Sequence, residues 1–178
     1  MRRVSMVGNS GSGKTTTGRA LAARLGVPFL ELDSIFHLPG WQERPLDEFR
    51  AETAAMAAGD GWVIDGNYSR VRDIVWARAD TVVVFDLSRR DLMRQLLGRT
   101  LRRSLTREEL WNGNREPVTN FWRLDPNKSI VRWAWVNYEK YRQRYRDAAA
   151  DPANAHLRFI FVTSRAEVLE LLDGLGAG

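Results

Sequence analysis

Residues 8–15 read Gly8-Asn9-Ser10-Gly11-Ser12-Gly13-Lys14-Thr15, a full match to the pattern G-x-x-x-x-G-K-[ST]. A loop that wraps a polyphosphate needs several backbone N–H groups turned inward, and glycines allow the close approach and positive φ angles this takes. A helix that starts where such a loop ends adds its free N–H groups and the positive end of its dipole. On this reading Lys14 reaches the β- and γ-phosphates, and the Thr15 hydroxyl ligates Mg²⁺. Gly8 to Thr15, together with Thr16, are the expected ATP-binding residues. The alternative is a Gly/Ser-rich turn matching by chance. Context argues against it, because an apolar strand over Arg3–Val7 precedes the loop and a helix over Lys14–Leu25 follows.

Outward from this loop the pattern alternates strand and helix, which predicts an α/β fold around a parallel sheet. A turn at Gly26-Val27-Pro28 leads to a short strand near Phe29–Leu32. Asp47–Ala58 is Ala-rich and helical, with Asp47 as its expected N-cap. Trp62–Asp65 (WVID) is a strand, Ser69–Arg78 a helix, and Thr81–Phe85 (TVVVF) the clearest strand in the chain. Ser88 is placed to cap a long basic helix running to about Ser104. After a polar stretch around Asn112-Gly113-Asn114 and Pro117, a further helix is expected from about Lys128 to Ala150. Leu157–Val162 is the last strand, and Ser164 caps a helix to about Leu172. No repeat, low-complexity tract or inter-domain linker interrupts this order, so a single domain over 1–178 is expected.

The bulk composition narrows the classes of function. With 44% hydrophobic and 28% charged residues, the chain has the make-up of a soluble globular protein. No apolar run approaches the ~18 residues of a membrane span. The opening Met1-Arg2-Arg3 is followed by too short an apolar stretch for an export signal. There are no cysteines, which removes disulfides, thiolate metal sites and cysteine nucleophiles. A cytoplasmic location is the expectation, with no membrane partner.

Charge is unevenly spread. The net charge is +5, and the only lysines are Lys14, Lys128 and Lys140. Between Arg89 and Arg146 stand 15 Lys and Arg against 6 Asp and Glu, while the rest of the chain has 12 against 16. One segment carries the positive field, and it should attract phosphate-bearing partners, either a nucleotide or a nucleic acid. Arg99, Arg102 and Arg103 fall at i, i+3 and i+4 and share one helix face, and Arg107, Arg115 and Arg123 follow. Phosphoryl transfer develops charge on the migrating group, and guanidinium groups on a closing segment neutralise it. The plain alternative is a solvated basic face. Trp111, Trp122, Trp133 and Trp135 interleave with these arginines. They suit base stacking or, more simply, packing; Trp133 and Trp135 are two apart and cannot share a helix face.

Two carboxylates close predicted strands. In an open parallel sheet, ligands bind beyond the carboxyl ends of the strands, which puts Asp33 and Asp65 on the rim of the phosphate loop. Asp33, in Glu31-Leu32-Asp33-Ser34, is placed to accept the proton of a substrate hydroxyl attacking the γ-phosphate; the competing reading is a turn cap. Asp65, before Gly66, is placed to hold Mg²⁺ or its water, against the competing reading of an ordinary Asp-Gly turn. His37 is a candidate substrate contact, whereas His156 is expected to be structural.

The stretches GNSGSGKT at 8–15, LDSIFHLPGW at 32–41, WVIDGNYSR at 62–70, LWNGNRE at 110–116 and FVTSRAEV at 161–168 together resemble the adenylate-kinase-like branch of P-loop kinases. The similarity is greatest to small topology-modulation proteins and adenylate-kinase-related kinases. The resemblance implies a P-loop NTPase three-layer fold, with a five-stranded parallel sheet, helices on both faces and an arginine-rich helical lid. It implies a substrate-binding helical region at about 34–60 and a lid at about 99–130. It also implies that Arg99 and Arg103 are the lid pair, that Asp65 and Gly66 follow the third strand, and that Thr163 to Arg165 border the adenine. Adenylate kinases have Phe-Pro-Arg after the Asp-Gly pair, where this chain has Asn67-Tyr68-Ser69-Arg70. Asp33 instead resembles the acidic residue of P-loop kinases that act on hydroxyls.

The resulting expectation is a Mg·ATP-dependent phosphotransferase acting on a small molecule with a hydroxyl or nucleotide acceptor. Lys14, Asp33, Arg99 and Arg103 are its catalytic candidates, and Thr15 and Asp65 its metal candidates. Arg99 and Arg165 join the ATP contacts, and Asp33, His37, Trp41, Arg44, Asn67 and Arg70 form the substrate pocket. The competing expectation is a nucleic-acid-associated ATPase, or a modulator of DNA topology, that uses the basic segment 89–146.

Overall fold

The computed structural model describes residues 1–106, 109–114 and 130–174, with the backbone alone for 103–106, 130, 131 and 133. Its strands are β1 (Arg3–Gly8), β2 (Phe29–Glu31), β3 (His37–Leu38), β4 (Gln42–Glu43), β5 (Trp62–Asp65), β6 (Thr81–Phe85) and β7 (Arg158–Val162). Its helices are α1 (Lys14–Leu25), α2 (Leu32–Phe36), α3 (Leu46–Ala57), α4 (Arg72–Arg78), α5 (Arg89–Thr106), α6 (Ile130–Ala150) and α7 (Arg165–Asp173). Five strands form one parallel sheet in the order β2-β5-β1-β6-β7, and β3 and β4 make a small antiparallel hairpin beside it.

The three-layer architecture follows from the period-two alternation of strands buried on both faces. Val4 and Met6 of β1, Val63 of β5, and Val83 and Phe85 of β6 pack with Leu21 and Ala22 of α1 and Leu172 of α7. Their neighbours Val7, Trp62, Ile64, Val82 and Val84 turn to the opposite face, against Phe49, Val75, Trp76 and Tyr145 from α3, α4 and α6. Every residue of β6 is buried, which is why TVVVF reads as an unbroken apolar run. Two of the polar groups caught in these layers illustrate how such groups are partnered. Trp76 Nε1 donates to Ser5 Oγ at 3.3 Å, and Tyr138 OH donates to the Leu87 carbonyl at 2.8 Å.

Several boundaries differ from the sequence reading for identifiable reasons. Asp47 does not cap α3; Pro45 stands at the N-cap and Asp47 lies in the first turn, where its charge favours the helix dipole. α4 begins at Arg72 rather than Ser69, because a turn closed by the Val71 amide on the Tyr68 carbonyl occupies the preceding residues. Ser88 caps α5 as expected, accepting from the Asp91 amide at 3.1 Å, and Ser164 caps α7 by accepting from the Glu167 amide at 3.2 Å. The parallel register brings Gly8 level with Phe85, Phe85 with Val162, and Glu31 with Asp65. The strands' carboxyl ends therefore share one rim. Among the described residues, no helix is long and apolar enough to cross a membrane.

Candidate active site

β1 ends at Gly8, and the chain turns directly into the loop that feeds α1. Gly11 has φ 85° and Gly13 φ 89°, in the left-handed region that favours glycine. Space demands glycine as well. A Cβ on Gly8 would lie 2.7 Å from Phe85 Cβ, and one on Gly11 would lie 2.8 Å from Leu96 Cβ of α5. Asn9 anchors the loop from within, its Nδ2 donating to the Ala134 carbonyl of α6 at 3.2 Å and its Oδ1 accepting from the Ser10 amide at 2.9 Å. Lys14 Nζ donates to the Asn9 carbonyl at 2.9 Å, folded back over the cradle it closes. Burial depresses its pKa, while the charges of Asp65 and Asp33 act in the opposite sense.

Thr15 begins the second half of the site. Its hydroxyl donates to Asp65 Oδ2 at 2.7 Å, with Glu31 Oε1 3.2 Å away. Asp65 is only 4% exposed, and burial pushes its pKa up to about 6 against the pull of Lys14 and the Thr15 hydrogen bond. Its Oδ1 is buried without a hydrogen-bond partner, as is Ser12 Oγ. A buried carboxylate oxygen in that state, beside a hydroxyl and a phosphate cradle, suits Mg²⁺. That ion takes one or two carboxylates plus phosphate oxygens and water rather than an all-protein cage. No cluster of three or more His, Cys, Asp or Glu side chains that could hold a metal ion occurs among the described residues. Glu31 was not singled out by the sequence reading; its place at the end of a strand, two residues before Asp33, was the available signal.

Asp33 lies in the first turn of α2, within electrostatic reach of Lys14. Its Oδ1 accepts a hydrogen bond from Tyr68 OH, whose oxygen is also 3.4 Å from His37 Nε2. Tyr68 is a second residue that sequence reasoning missed, and only the fold brings it to Asp33. His37 stands edge-on to Trp41, with ring centroids 5.2 Å apart, and stacks offset on Trp111 at 6.1 Å. Trp41 has φ 60°, a strained value for a bulky residue. The segment 109–114 steadies it, since Asn114 Oδ1 accepts from the Trp41 amide at 3.0 Å and Asn114 Nδ2 donates to the Leu38 carbonyl at 2.9 Å. Asn112 Nδ2 donates to the carbonyls of His37 at 2.6 Å and Ser34 at 3.1 Å. Thus the stretch after α5 is tied to the hairpin beside Asp33.

The remaining expected contacts divide. Arg99 Nη2 donates to Ser10 Oγ at 3.1 Å, so it reaches the phosphate loop. Thr16 follows in the first turn of α1, and Arg165 is exposed at the start of α7 beyond the end of β7. Asn67, expected to face a substrate, instead braces the loop. Its Oδ1 accepts from the Gly8 amide at 3.0 Å and from Tyr145 OH at 3.0 Å, and its Nδ2 donates to the Gly8 carbonyl at 2.5 Å. Arg44 Nε donates to the Ile35 carbonyl at 2.6 Å, and its Nη1 pairs with Glu52 at 2.8 Å. Arg70 pairs with Glu43 at 3.4 Å on the surface. These two arginines are committed to protein partners. Trp135 is 52% exposed beneath the Arg89 guanidinium, 4.9 Å from its ring centre. Arg107, Arg115, Trp122, Arg123 and Lys128, and the side chains of Arg103 and Trp133, lie outside the described residues, as does most of the expected lid.

The parallel sheet, the glycine cradle on its central strand and the Lys-Thr pair opening α1 define the P-loop kinase fold. Comparison with solved structures agrees. The fold matches a shikimate kinase from Bacteroides thetaiotaomicron with a TM-score of 0.57 at 16% identity, covering 98% of this chain and 96% of that one. It matches a gluconokinase from Sinorhizobium meliloti with a TM-score of 0.54 at 22% identity, covering 98% and 91%. In sequence, the family model for shikimate kinase matches residues 10–39. A shikimate kinase from Paracidovorax citrulli is 31% identical over 119 residues, or 53% of this chain and 65% of that protein. One from Thermosynechococcus vestitus is 30% identical over 118 residues, covering 63% of its length. The chain thus spans a little under two thirds of the curated relatives it matches. These comparisons turn toward shikimate kinase and gluconokinase. They correct the expected leaning toward topology-modulation proteins and lend the nucleic-acid reading no support.

Proposed function

We propose that this protein transfers the γ-phosphoryl group of Mg·ATP to a hydroxyl of a small polyhydroxylated acceptor of about the size of shikimate or gluconate. The observation that carries the reading is the position of Asp33. Its carboxylate stands on the strand rim within the field of Lys14, one oxygen held by Tyr68 and the other open to take a proton. A phosphate acceptor is already anionic and has no need of a base there, whereas a hydroxyl does. The similarity to shikimate kinases over residues 10–39, which include Asp33, supports the same reading.

In this proposal the loop amides of 8–15 and Lys14 hold the phosphates, and Arg99 faces the migrating group. Thr15 and Asp65 would hold Mg²⁺, which supplies charge neutralisation across the phosphates. Residues 34–60 and 99–130 would form the acceptor region and the lid of a single kinase domain, with His37 and Trp41 at the acceptor. The test is ADP release from Mg·ATP across shikimate, gluconate, sugars, nucleosides, nucleoside monophosphates and duplex DNA, with Lys14→Ala as control. Stimulation by one hydroxyl compound, absent in the control, is expected. Stimulation by nucleoside monophosphates alone, or by DNA alone, would overturn the reading.

A further inference from the structure

Tyr68 follows the Asp65-Gly66-Asn67 segment at the end of β5, and its ring is gripped on two sides. Phe36 lies 4.7 Å from it, centroid to centroid, and Phe49 lies 5.2 Å away. A turn closed by the Val71 amide on the Tyr68 carbonyl at 3.3 Å fixes the backbone. The hydroxyl therefore has little freedom, and it donates to Asp33 Oδ1. Asp33 is pinned from its own side too. Ser34 Oγ donates to the Glu31 carbonyl at 2.6 Å, and Asn112 Nδ2 donates to the Ser34 carbonyl at 3.1 Å. Asp33 Oδ2 has no protein partner among the described residues, and it is not among the buried orphaned atoms.

From this geometry we infer that Tyr68 is the positioning residue of the reaction, holding Asp33 by Oδ1 so that Oδ2 alone receives the acceptor's proton. The inference rests on the phosphoryl-transfer reading above. In the step it serves, the acceptor O–H bond breaks and its proton passes to Asp33 Oδ2. The acceptor oxygen bonds to the γ-phosphorus, and the bond from that phosphorus to the β-phosphate oxygen breaks, its electron pair leaving on ADP. A free carboxylate turns about its terminal torsion and presents either oxygen. One fixed donor removes that freedom before the acceptor arrives. The donor is also permanent. Burial, then the charge and hydrogen bond of Asp33, raise the Tyr68 pKa far above the working range, so the phenol stays protonated. Among the described residues, the other charged or titratable groups around this pair are Lys14, Glu31, Asp65, Glu43 and His37.

The test is Tyr68→Phe, which keeps the ring against Phe36 and Phe49 and removes only the hydroxyl. Two readouts are taken. One is the pH dependence of kcat with the best acceptor; the other is the titration of the Asp33 side-chain carbon by ¹³C NMR in the protein with ADP. The expected result is a kcat about tenfold lower with KM for ATP unchanged. Both the acid limb of the profile and the Asp33 titration should move up, because the ionised form has lost a donor. Difluorotyrosine at position 68, a stronger donor of nearly the same shape, should move both the opposite way, which keeps the test decisive if the Phe variant folds poorly. An Asp33 titration that is the same in all three proteins would overturn the inference. A shifted titration with an unshifted acid limb would overturn it too, by removing Asp33 as the base. Failure of every acceptor would sink the phosphoryl-transfer reading itself, and the NMR titration would still report on the contact separately.

Discussion

Replacing Asn67 by Ala separates two roles for that residue, acceptor contact and brace of the phosphate loop. The substitution removes three part-buried hydrogen bonds and strands the Gly8 amide, the Gly8 carbonyl and the Tyr145 hydroxyl. At about 1 kcal/mol per bond, with water partly replacing the lost side chain, the expected destabilisation is about 3 kcal/mol. For a chain of this length that corresponds to a Tm lower by roughly 6–12 °C. Because Gly8 opens the cradle, ATP affinity should weaken about tenfold, equivalent to ~1.4 kcal/mol. Asn67→Asp sharpens the comparison: it retains an acceptor for the Gly8 amide but turns a charged oxygen toward the Gly8 carbonyl and the bound phosphates. It should weaken ATP more than Asn67→Ala does. Thermal unfolding and titration with a fluorescent ATP analogue measure both quantities. An unchanged Tm and ATP affinity, with only the acceptor KM raised, would refute the bracing argument and return Asn67 to the substrate pocket.

Gly11→Ala should cost the protein nucleotide binding, by more than tenfold in Kd, because its Cβ drives into Leu96 at a φ of 85°; calorimetric titration with Mg·ATP checks it. Asp33→Asn should abolish turnover while ATP binding survives, and turnover close to wild type would remove Asp33 from the chemistry. Asp86, buried beneath Arg142 at 2.5 Å and Arg146 at 3.0 Å, ties β6 to α6; Asp86→Asn should lower stability by about 3 kcal/mol in urea, since it leaves half of a partly buried ion network unmatched. Asp80 offers a pH test. Burial works against its charge, but the amides of Arg2 and Arg3 and the Thr81 hydroxyl outweigh it and hold its pKa below the usual carboxylate value. Its folded pKa lies below its unfolded one, so its stabilisation is present above about pH 4 and fades as pH falls through the folded value. Urea midpoints of Asp80→Asn and wild type should differ at pH 7 and converge in acid; a constant gap would refute the assignment.

The sequence alone settled the elements whose signals are local. The loop 8–15 announces itself because phosphate binding constrains residue type at each position. β5 and β6 match the sequence reading to the residue, since continuous burial on both faces leaves no ambiguity of period, and α1 does so as well, bounded by Gly13 and Gly26 at its two caps. Thr15 and Asp65 were legible as partners because each sits at a recognisable junction, a helix start and a strand end. What the chain could not show by itself is which side chains are consumed by the protein. Arg44, Asn67 and Arg70 read as pocket residues from their neighbourhood, yet Glu52, Gly8 and Glu43 claim them, across distances in sequence that no local pattern encodes. The same holds for Tyr68, which stands 35 residues from Asp33 and meets it because β2 and β5 are adjacent in the sheet. Local pattern determined where phosphate can bind, since a loop carries its own backbone geometry. The state of the Asp33 carboxylate opposite it was decided only by tertiary structure, because a hydrogen bond between distant residues exists only once the strands are in register.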